Sequence, residues 1–484
     1  MKLTLKGLWL GLLVDILASI AAIFAVMQIT DLTIIFALVA SIIAVFFGRI
    51  LTGSYSNFTV LFLVFSALYG LSGPIVAYYG EGLPRTFPTP YLVDEFLLHY
   101  LLALIGLVVG LMLVAGVRMP PRSTTINQVP TWNGQTLFLL SLVFIAMASF
   151  MELINFVRAG GLETLFAGKA AYQSAVSELT MTLPTEQVIL LATAFLGLAL
   201  SSTKLSSRTK LIHVGQWILI SLPPLMSLTV LGRRGELLAI IFVFIFSYFF
   251  FKPIRKISLK FVVLFICIYF MFGFLYGARA QLGYGLATGN WSILKSQLYE
   301  REFWVSSLNP GSIEFGAPFG NFNTHILLKR LYEPRLGETY LIGLTIPIPR
   351  FIWPDKPRSI TYEFRDAYFP QAARRGAIAG TAFSSILEAY INFGTAGVPI
   401  VYLFIALAVG LIEHARSHSR SLSFAIFYLK LLPEAVTFHR SSLGMPLFWP
   451  LILAFVGLYS YIFLNSILQK FSRSVITGRV DIAR

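Results

Sequence analysis

The stretch DEFLLHYLLALIGLVVGLMLVAG, residues 94–116, decides the fold class of this chain. Its acidic residues stand at the first two positions, and the apolar run behind them can cross a bilayer as a helix. Similar runs recur along the sequence. Since a span takes about 20 apolar residues, they predict about twelve transmembrane helices. They lie at residues 7–28, 31–47, 57–79, 94–116, 135–157, 186–202, 210–230, 235–251, 259–277, 383–412, 421–437 and 446–468. We therefore expect an all-α polytopic membrane protein.

The composition agrees with this class and excludes several others. Hydrophobic residues make up 57% of the 484 residues and charged residues only 12%, whereas a soluble domain is about 25% charged. The single cysteine, Cys267, leaves no disulfide framework and no cysteine-based metal site. Phosphate-binding loops, zinc-protease motifs and RNA-binding signatures are absent from the sequence. The net charge of +15 is explained by basic residues in cytoplasmic loops, so we expect no nucleic acid among the partners.

Basic residues in the short loops predict the orientation of the chain. They concentrate in the N-terminal segment, in the loops after the even-numbered spans and in the C-terminal tail. Both termini are therefore expected in the cytoplasm, provided that the number of spans is even.

The long segment between the ninth and tenth spans is too polar to cross the membrane. It is also too long for a simple connector, and its many aromatic residues favour a small folded cap on the outer face. We thus expect three regions. Residues 1–278 hold spans one to nine, residues 279–380 form a large, mainly helical extracytoplasmic loop, and residues 381–484 hold spans ten to twelve with a cytoplasmic tail.

Arginines mark three of the outer helix ends. The sequence VLGRRGE, residues 230–236, places Arg233 and Arg234 at the turn between the seventh and eighth spans. Arg279 follows the ninth span, and Arg440 lies near the outer end of the eleventh. A guanidinium keeps its charge and presents a fork of donors that matches phosphate oxygens. Together these residues indicate a site for an anionic, lipid-linked ligand, although each one singly could equally pair with lipid headgroups or with a neighbouring acid.

The sequence IPIPRFIWPDKP, residues 346–357, is the most constrained part of the outer loop. Its four prolines preclude a helix and hold Phe351 and Trp353 in an extended or turned frame, with Arg350 and Lys356 beside them. The segment could be a rigid aromatic and basic platform over a glycan phosphate, or it could simply brace the loop.

Several acidic and histidine side chains are candidates for proton transfer. Glu363 and Asp366 lie three residues apart in an apparent amphipathic helix over residues 359–380 and so share one face. They are candidates for a general base, but a surface ion pair is the commoner role for such residues. Glu388, near the outer end of the tenth span, is a further candidate. His325 could act likewise, or could be a hydrogen-bonded structural histidine.

Four motifs resemble the bacterial oligosaccharide repeat-unit polymerases, the Wzy-type polymerases of O-antigen, common-antigen and capsule assembly. VLGRRGELL is similar to the family's Gly-x-Arg turn, with Arg234 at the arginine position, and PIPRFIWPDKP is similar to its Pro-aromatic-Trp-Pro-x-basic-Pro segment, with Lys356 at the basic position. GTAFSSILEAYINFGTAGV resembles the small-residue start of the next span, and FHRSSLG resembles the arginine before the final span, here Arg440. The doubled arginine departs from the pattern and leaves the role of Arg233 open. No position matches a base residue of the family.

The resemblance implies a GT-C-like membrane glycosyltransferase on the outer, periplasmic face of the bacterial cytoplasmic membrane. Its donor would be a glycan on undecaprenyl diphosphate, its acceptor a repeat unit on the same carrier, and its by-product undecaprenyl diphosphate. The catalytic candidates are Arg234 and Arg440, for the diphosphate, and Glu363, Asp366, Glu388 and His325, for the acceptor proton. The candidates for substrate binding are Arg233, Arg279, Arg350, Trp353, Lys356 and His439.

No metal or other cofactor is expected, because the outward carboxylates are scattered along the sequence. A chain-length regulator and a flippase are candidate partners. Two alternative functions remain open. An O-antigen ligase would use the same donor with a lipid A core acceptor. A flippase for lipid-linked oligosaccharides would carry its cations along a cavity within the spans, whereas here most lie at helix ends.

Overall fold

In the described part of the chain, the computed structural model is built from helices, with no strand. It describes the chain apart from residues 1–3, 81–86, 118–131, 162–184, 203–205, 231–232, 251–253, 257, 310–313, 346–347, 349–351, 372–381, 420, 443–447 and 482–484. The first helices are α1 (Leu5–Val26), α2 (Thr30–Thr52), α3 (Phe58–Tyr79), α4 (Val93–Gly116), α5 (Gly134–Arg158), α6 (Thr185–Ser202), α7 (Ser207–Ile220), α8 (Leu222–Val230) and α9 (Arg234–Tyr248). They are followed by α10 (Leu259–Thr288), α11 (Ser292–Leu298), α12 (Arg301–Leu308), α13 (Ala317–Leu328), α14 (Glu338–Thr345), α15 (Ile360–Tyr368), α16 (Ser385–His418), α17 (Leu422–Arg440) and α18 (Phe448–Asp481).

Each predicted span coincides with a helix or a pair of helices, which confirms the all-α class and the multi-pass membrane character. By length and composition, 7 of the described helices can cross a membrane, and an eighth span is possible if a bent pair counts as one. This pair is α7 and α8, which meet at 64° where Pro223 and Pro224 interrupt the backbone hydrogen bonding. The total of about twelve spans and the GT-C-like arrangement stay predictions.

The chain divides into two compact units. The first comprises Met1–Pro120, Ile254–Ser417 and Glu434–Leu447, and the second comprises Pro121–Pro253, His418–Pro433 and Phe448–Arg484. The three regions predicted from the sequence are continuous segments, whereas each of these units combines several segments of the chain. The boundaries of the three regions remain predictions. All the described helices of the predicted outer loop belong to the first unit.

In the first unit, α1, α2, α3 and α4 form a bundle, and α4 approaches α16 closely. Gly106 and Gly110 lie four residues apart on the face of α4 that meets α16. A Cβ atom on Gly106 would stand 2.2 Å from the carbonyl oxygen of Pro399, and one on Gly110 would stand 2.7 Å from that of Leu403. Small residues at this spacing let two membrane helices pack backbone against backbone, so this pair fixes α16 against the bundle.

In the second unit, α5 packs against α6, and α6 packs against α9. The bent pair α7 and α8 is joined to α5 at its bend, where the hydroxyl of Ser149 donates to the carbonyl of Ile220 at 2.6 Å. The α18 helix contacts both α5 and α6.

The α16 helix is broken near its beginning. Gly394 has φ 67° and ψ −167°, so the residues before it form a short helical segment and those after it continue separately. The later part is itself long enough to span a bilayer, at about 1.5 Å per residue. The short segment Ser385–Phe393 therefore precedes the span, and it carries the main polar cluster of the unit.

Candidate functional site

The polar cluster centres on Glu388, which is completely buried in the short first segment of α16. The Asn392 amide can only donate through Nδ2, and it does so to Thr339 Oγ1 at 2.7 Å. The Thr339 hydroxyl therefore directs its own proton to Glu388 Oε1, 2.7 Å away. This chain of bonds fixes one carboxylate oxygen of Glu388 and ties α14 to α16.

Tyr340, the next residue on α14, lies beside this cluster. Its ring stacks on Phe393 with centroids 6.2 Å apart. Its hydroxyl is buried and has no hydrogen-bond partner within the described structure. Burial raises the pKa of Tyr340, and the Glu388 carboxylate adds to the increase, so the phenol stays neutral at physiological pH.

The loop before α14 supplies the hydrogen bonds that the break in α16 leaves unmade. A helix end has carbonyl groups without amide partners. Here the amides of Arg335 and Leu336 donate to the carbonyls of Ile391 and Asn392, each at 3.0 Å. The amide of Gly337 donates to Asn392 Oδ1 at 2.9 Å. This loop is thus docked on the end of the short segment of α16.

The docking brings the side chain of Arg335 to Glu363. One guanidinium nitrogen, NH2, lies 2.7 Å from Glu363 Oε2, and NH1 lies 3.9 Å from a Glu338 oxygen. The Arg335 side chain is only 11% exposed, whereas that of Glu363 is 31% exposed. Arg335 therefore orients a carboxylate that still reaches the surface.

Asp366 lies one turn further along α15 and has different partners. Its carboxylate pairs with Arg365 at 2.6 Å and with Arg358 at 3.3 Å. The α15 helix buries Phe364 on the opposite side, which confirms the predicted amphipathic helix over its first part. The helix ends at Tyr368, because Pro370 disfavours helical backbone at the residue before it. The predicted continuation through Arg374 and Arg375 lies outside the described residues.

His325 is completely buried in α13 and uses both ring nitrogens. The hydroxyl of Tyr368 accepts from the amides of Arg330 and Leu331, at 2.8 and 3.2 Å, so its proton points to His325 Nδ1 at 2.7 Å. The remaining ring proton on Nε2 is then donated to Glu333. Burial lowers the pKa of His325, and the nearby Glu333 offsets only part of that effect. The result is a neutral, fixed histidine.

Three predicted proton-transfer residues thus surround one short stretch of α16. Glu388 belongs to the stretch, and Glu363 reaches it through the docked Arg335. His325 contacts the same stretch through Tyr390, whose ring centroid lies 6.2 Å from that of the imidazole.

His439 and Arg440 end α17 in the same unit. The imidazole of His439 is buried, with Nε2 3.2 Å from the carbonyl of Phe62, and its ring lies against those of Phe62 and Tyr69. Arg440 is partly buried at the last helical position, where the negative end of the helix dipole favours a cation.

Two of the platform residues of the outer loop can be described. Trp353 is exposed, and Lys356 Nζ donates to the carbonyl of Ile348 at 2.8 Å. The described residues around them are non-helical, as the prolines predict. Arg350 and Phe351 lie outside the described residues.

The remaining arginines lie at or within helices. Arg279 belongs to α10, which continues past the expected end near residue 277 as far as Thr288. Arg234 is the first residue of α9. The positions of both side chains lie outside the described structure. Arg233, directly before α9, forms ion pairs with Glu186 and, at 3.3 Å, with Glu236.

Sequence reasoning missed the residues that hold these groups in place, namely Arg335, Thr339, Asn392, Glu333 and Tyr368. Most of their partners are distant in sequence, and only Asn392 falls within one of the motifs quoted above. The described residues hold no group of three or more histidine, cysteine or acidic side chains that could bind a metal ion.

Comparison with known proteins finds a match to one family model. The family model for the O-antigen polysaccharide polymerase Wzy matches residues 359–470, about a quarter of the chain. The match confirms the resemblance found in the sequence and supports an O-antigen polymerase-type function. Glu363, Asp366, Glu388, His439 and Arg440 all lie within it, whereas VLGRRGE and IPIPRFIWPDKP precede it. No curated protein and no solved structure matches the chain.

Proposed function

We propose that this membrane chain, which resembles the Wzy polymerases and matches their family model over residues 359–470, polymerises oligosaccharide repeat units. The units are carried on undecaprenyl diphosphate at the outer face of the bacterial cytoplasmic membrane. The family match carries the proposal. Glu363, which lies inside the matched range and pairs with Arg335 of the loop docked on α16, supplies the base.

The reaction is a glycosyl transfer between two carrier-linked glycans. The bond between the anomeric carbon of the donor chain and its diphosphate breaks, and a bond from that carbon to an acceptor hydroxyl oxygen forms. The hydroxyl proton passes to a base, and undecaprenyl diphosphate leaves with the bonding electrons. Negative charge develops on the leaving diphosphate, so fixed cations at that point accelerate the reaction. Arg234, Arg440 and Arg279 take this role in the proposal.

Glu363 is the best candidate for the base. A general base must come within hydrogen-bond reach of the acceptor hydroxyl. Glu363 is partly exposed and oriented by Arg335, whereas Glu388 and His325 are fully buried. Asp366 is also partly exposed, but its carboxylate pairs with two arginines. In this account Glu388 holds α14 against α16, and His325 holds the loop that carries Arg335.

The remaining predicted residues are candidates for binding the sugar and phosphate groups of the substrate. The exposed indole of Trp353 offers an apolar face for a sugar ring, and Arg350 and Lys356 are the adjacent cations. Arg233 and His439, the other two candidates for substrate binding, also have protein partners. A chain-length regulator and a flippase stay candidate partners.

The function is tested by deleting the gene and supplying variants of it in trans. The deletion strain should carry single repeat units on the lipid A core, and the unaltered gene should restore a ladder of long polysaccharide on a gel. Arg234→Ala, Arg440→Ala and Glu363→Gln should each abolish the ladder. Arg358→Ala, which removes an exposed arginine paired with Asp366, is the matched control and should preserve it.

Other outcomes identify the alternatives. If the deletion strain accumulates unattached, carrier-linked polymer, the protein is a ligase. If carrier-linked units accumulate on the cytoplasmic face, it is a flippase. A full ladder from both arginine variants would overturn the assignment of the diphosphate site.

A further inference from the structure

The short helix α14 exposes two leucines on one side. Leu341 is 66% exposed and Leu344 is 73% exposed, whereas Thr339, Ile342 and Gly343 face the protein and are buried. The two leucines stand three residues apart and so share the outward face of the helix.

The apolar surface extends beyond the helix at both ends. Leu336 precedes α14 and is exposed, and Ile352 and Trp353 follow it and are exposed as well. Residues 339–349 contain no charged side chain. Water-facing protein surfaces rarely carry apolar patches of this kind without a function. We call Leu336, Leu341, Leu344, Ile352 and Trp353 the α14 patch.

The hydrogen bonds of α14 determine where this patch lies. Thr339 is bonded to Glu388, and Tyr340 stacks on Phe393, the last residue before the break in α16. The patch is therefore level with the beginning of a membrane span. Past the break, Ile400 and Phe404 are exposed at helical spacing, as expected for a face that meets lipid. Phe393 is also exposed, so the apolar surface continues from α14 to this face.

We propose that the α14 patch is immersed in the membrane, in the leaflet that surrounds the start of the α16 span. The occupant is lipid: the acyl chains contact the leucines and Ile352, and the headgroup layer meets Trp353 and the basic residues that follow. Tryptophan prefers this boundary. Lys356 and the exposed Arg358 lie three and five residues beyond Trp353, where their charges suit anionic headgroups. The predicted outer loop is thus partly a membrane-embedded element. The inference needs only a membrane around α16 and is independent of the reaction.

The test uses spin labels in a protein without its native cysteine. Cys267→Ala removes the one thiol, and Leu341→Cys and Leu344→Cys each introduce a label at a side chain that packs little against the protein. Tyr299→Cys is the control, because Tyr299 is 92% exposed and is followed by Glu300, Arg301 and Glu302. The proteins are placed in bilayers of phosphatidylethanolamine and phosphatidylglycerol. Collisions of each label with oxygen, which enters lipid, and with a water-soluble nickel chelate are then measured.

The labels at 341 and 344 should show an oxygen-to-nickel collision ratio several-fold above that of the label at 299. A ratio equal to that at 299 would mean that the patch faces water and would overturn the proposal. Low collision rates with both reagents would mean that protein covers the patch, and would overturn it as well. Both labelled variants should melt close to the temperature of the Cys267→Ala parent, which shows that they fold.

Discussion

Replacing Thr339 by valine removes one hydroxyl from the centre of the buried chain Asn392–Thr339–Glu388. The valine side chain has nearly the same shape as the threonine side chain. The Asn392 amide loses an acceptor at 2.7 Å, and the Glu388 carboxylate loses a donor at 2.7 Å. Because both groups are buried, water cannot replace the lost partners without opening the contact between α14 and α16.

The expected loss of stability follows from these two bonds. A hydrogen bond to a charged group contributes about 1.5–3 kcal/mol, and an unsatisfied buried donor costs about 1–3 kcal/mol. We therefore expect Thr339→Val to lower the free energy of unfolding by about 3–5 kcal/mol. At about 2–4 °C per kcal/mol for a domain of a few hundred residues, this is a fall of roughly 6–20 °C in Tm.

The assay is thermal denaturation of purified protein in one detergent, with two comparison variants. Thr339→Ser keeps the hydroxyl and should lower the free energy of unfolding by less than half as much as Thr339→Val does. Thr345→Val changes the other threonine of α14, whose hydroxyl bonds, among the described residues, only to the Ile342 carbonyl of its own helix. This variant should change the free energy of unfolding by about 0.5 kcal/mol or less. Equal melting temperatures for Thr339→Val and Thr345→Val would refute the reasoning.

Three further variants test other parts of the structure. Gly106→Ala should lower the free energy of unfolding by about 1–3 kcal/mol through overpacking against α16. The control is Gly116→Ala on the same helix, whose new Cβ meets no atom of the described residues within 4 Å, and it should be neutral or slightly stabilising in the same melting assay. The pKa of His325 is lower in the folded than in the unfolded protein. The unfolded state therefore binds the proton more readily below about pH 6.5. The free energy of unfolding should decrease as the pH is lowered below that value, and it should decrease less in His325→Gln. Glu363→Gln should slow polymerisation about 10²–10⁴-fold, as loss of a general base does, whereas Asp366→Asn should retain most of the rate. The reverse order would transfer the role to Asp366.

The membrane helices were predictable because hydrophobic length is a local property of the sequence. The same local reasoning did not locate the interruptions. The span expected at residues 210–230 is a bent pair, although its two prolines carried the signal. The break at Gly394 was missed, because a glycine inside an apolar run equally suits close helix packing.

The candidate site was predicted only in part, since a sequence shows residue types and not their partners. Glu363, Glu388 and His325 stood out by type and position, but Arg335 lay in a polar stretch without a motif. Its role depends on contacts with residues 28 and 56 positions away, Glu363 and Ile391. The sequence predicted that Arg233 could pair with a neighbouring acid, and it does pair with Glu236. Its second partner, Glu186, is distant in sequence and could not be predicted.

The most direct test of the proposed reaction is reconstitution of the purified protein with synthetic repeat units on undecaprenyl diphosphate. The account predicts carrier-linked products of two, three and more repeats, with one undecaprenyl diphosphate released for each glycosidic bond formed. Products no longer than the starting unit, or transfer only when lipid A core is added, would contradict it.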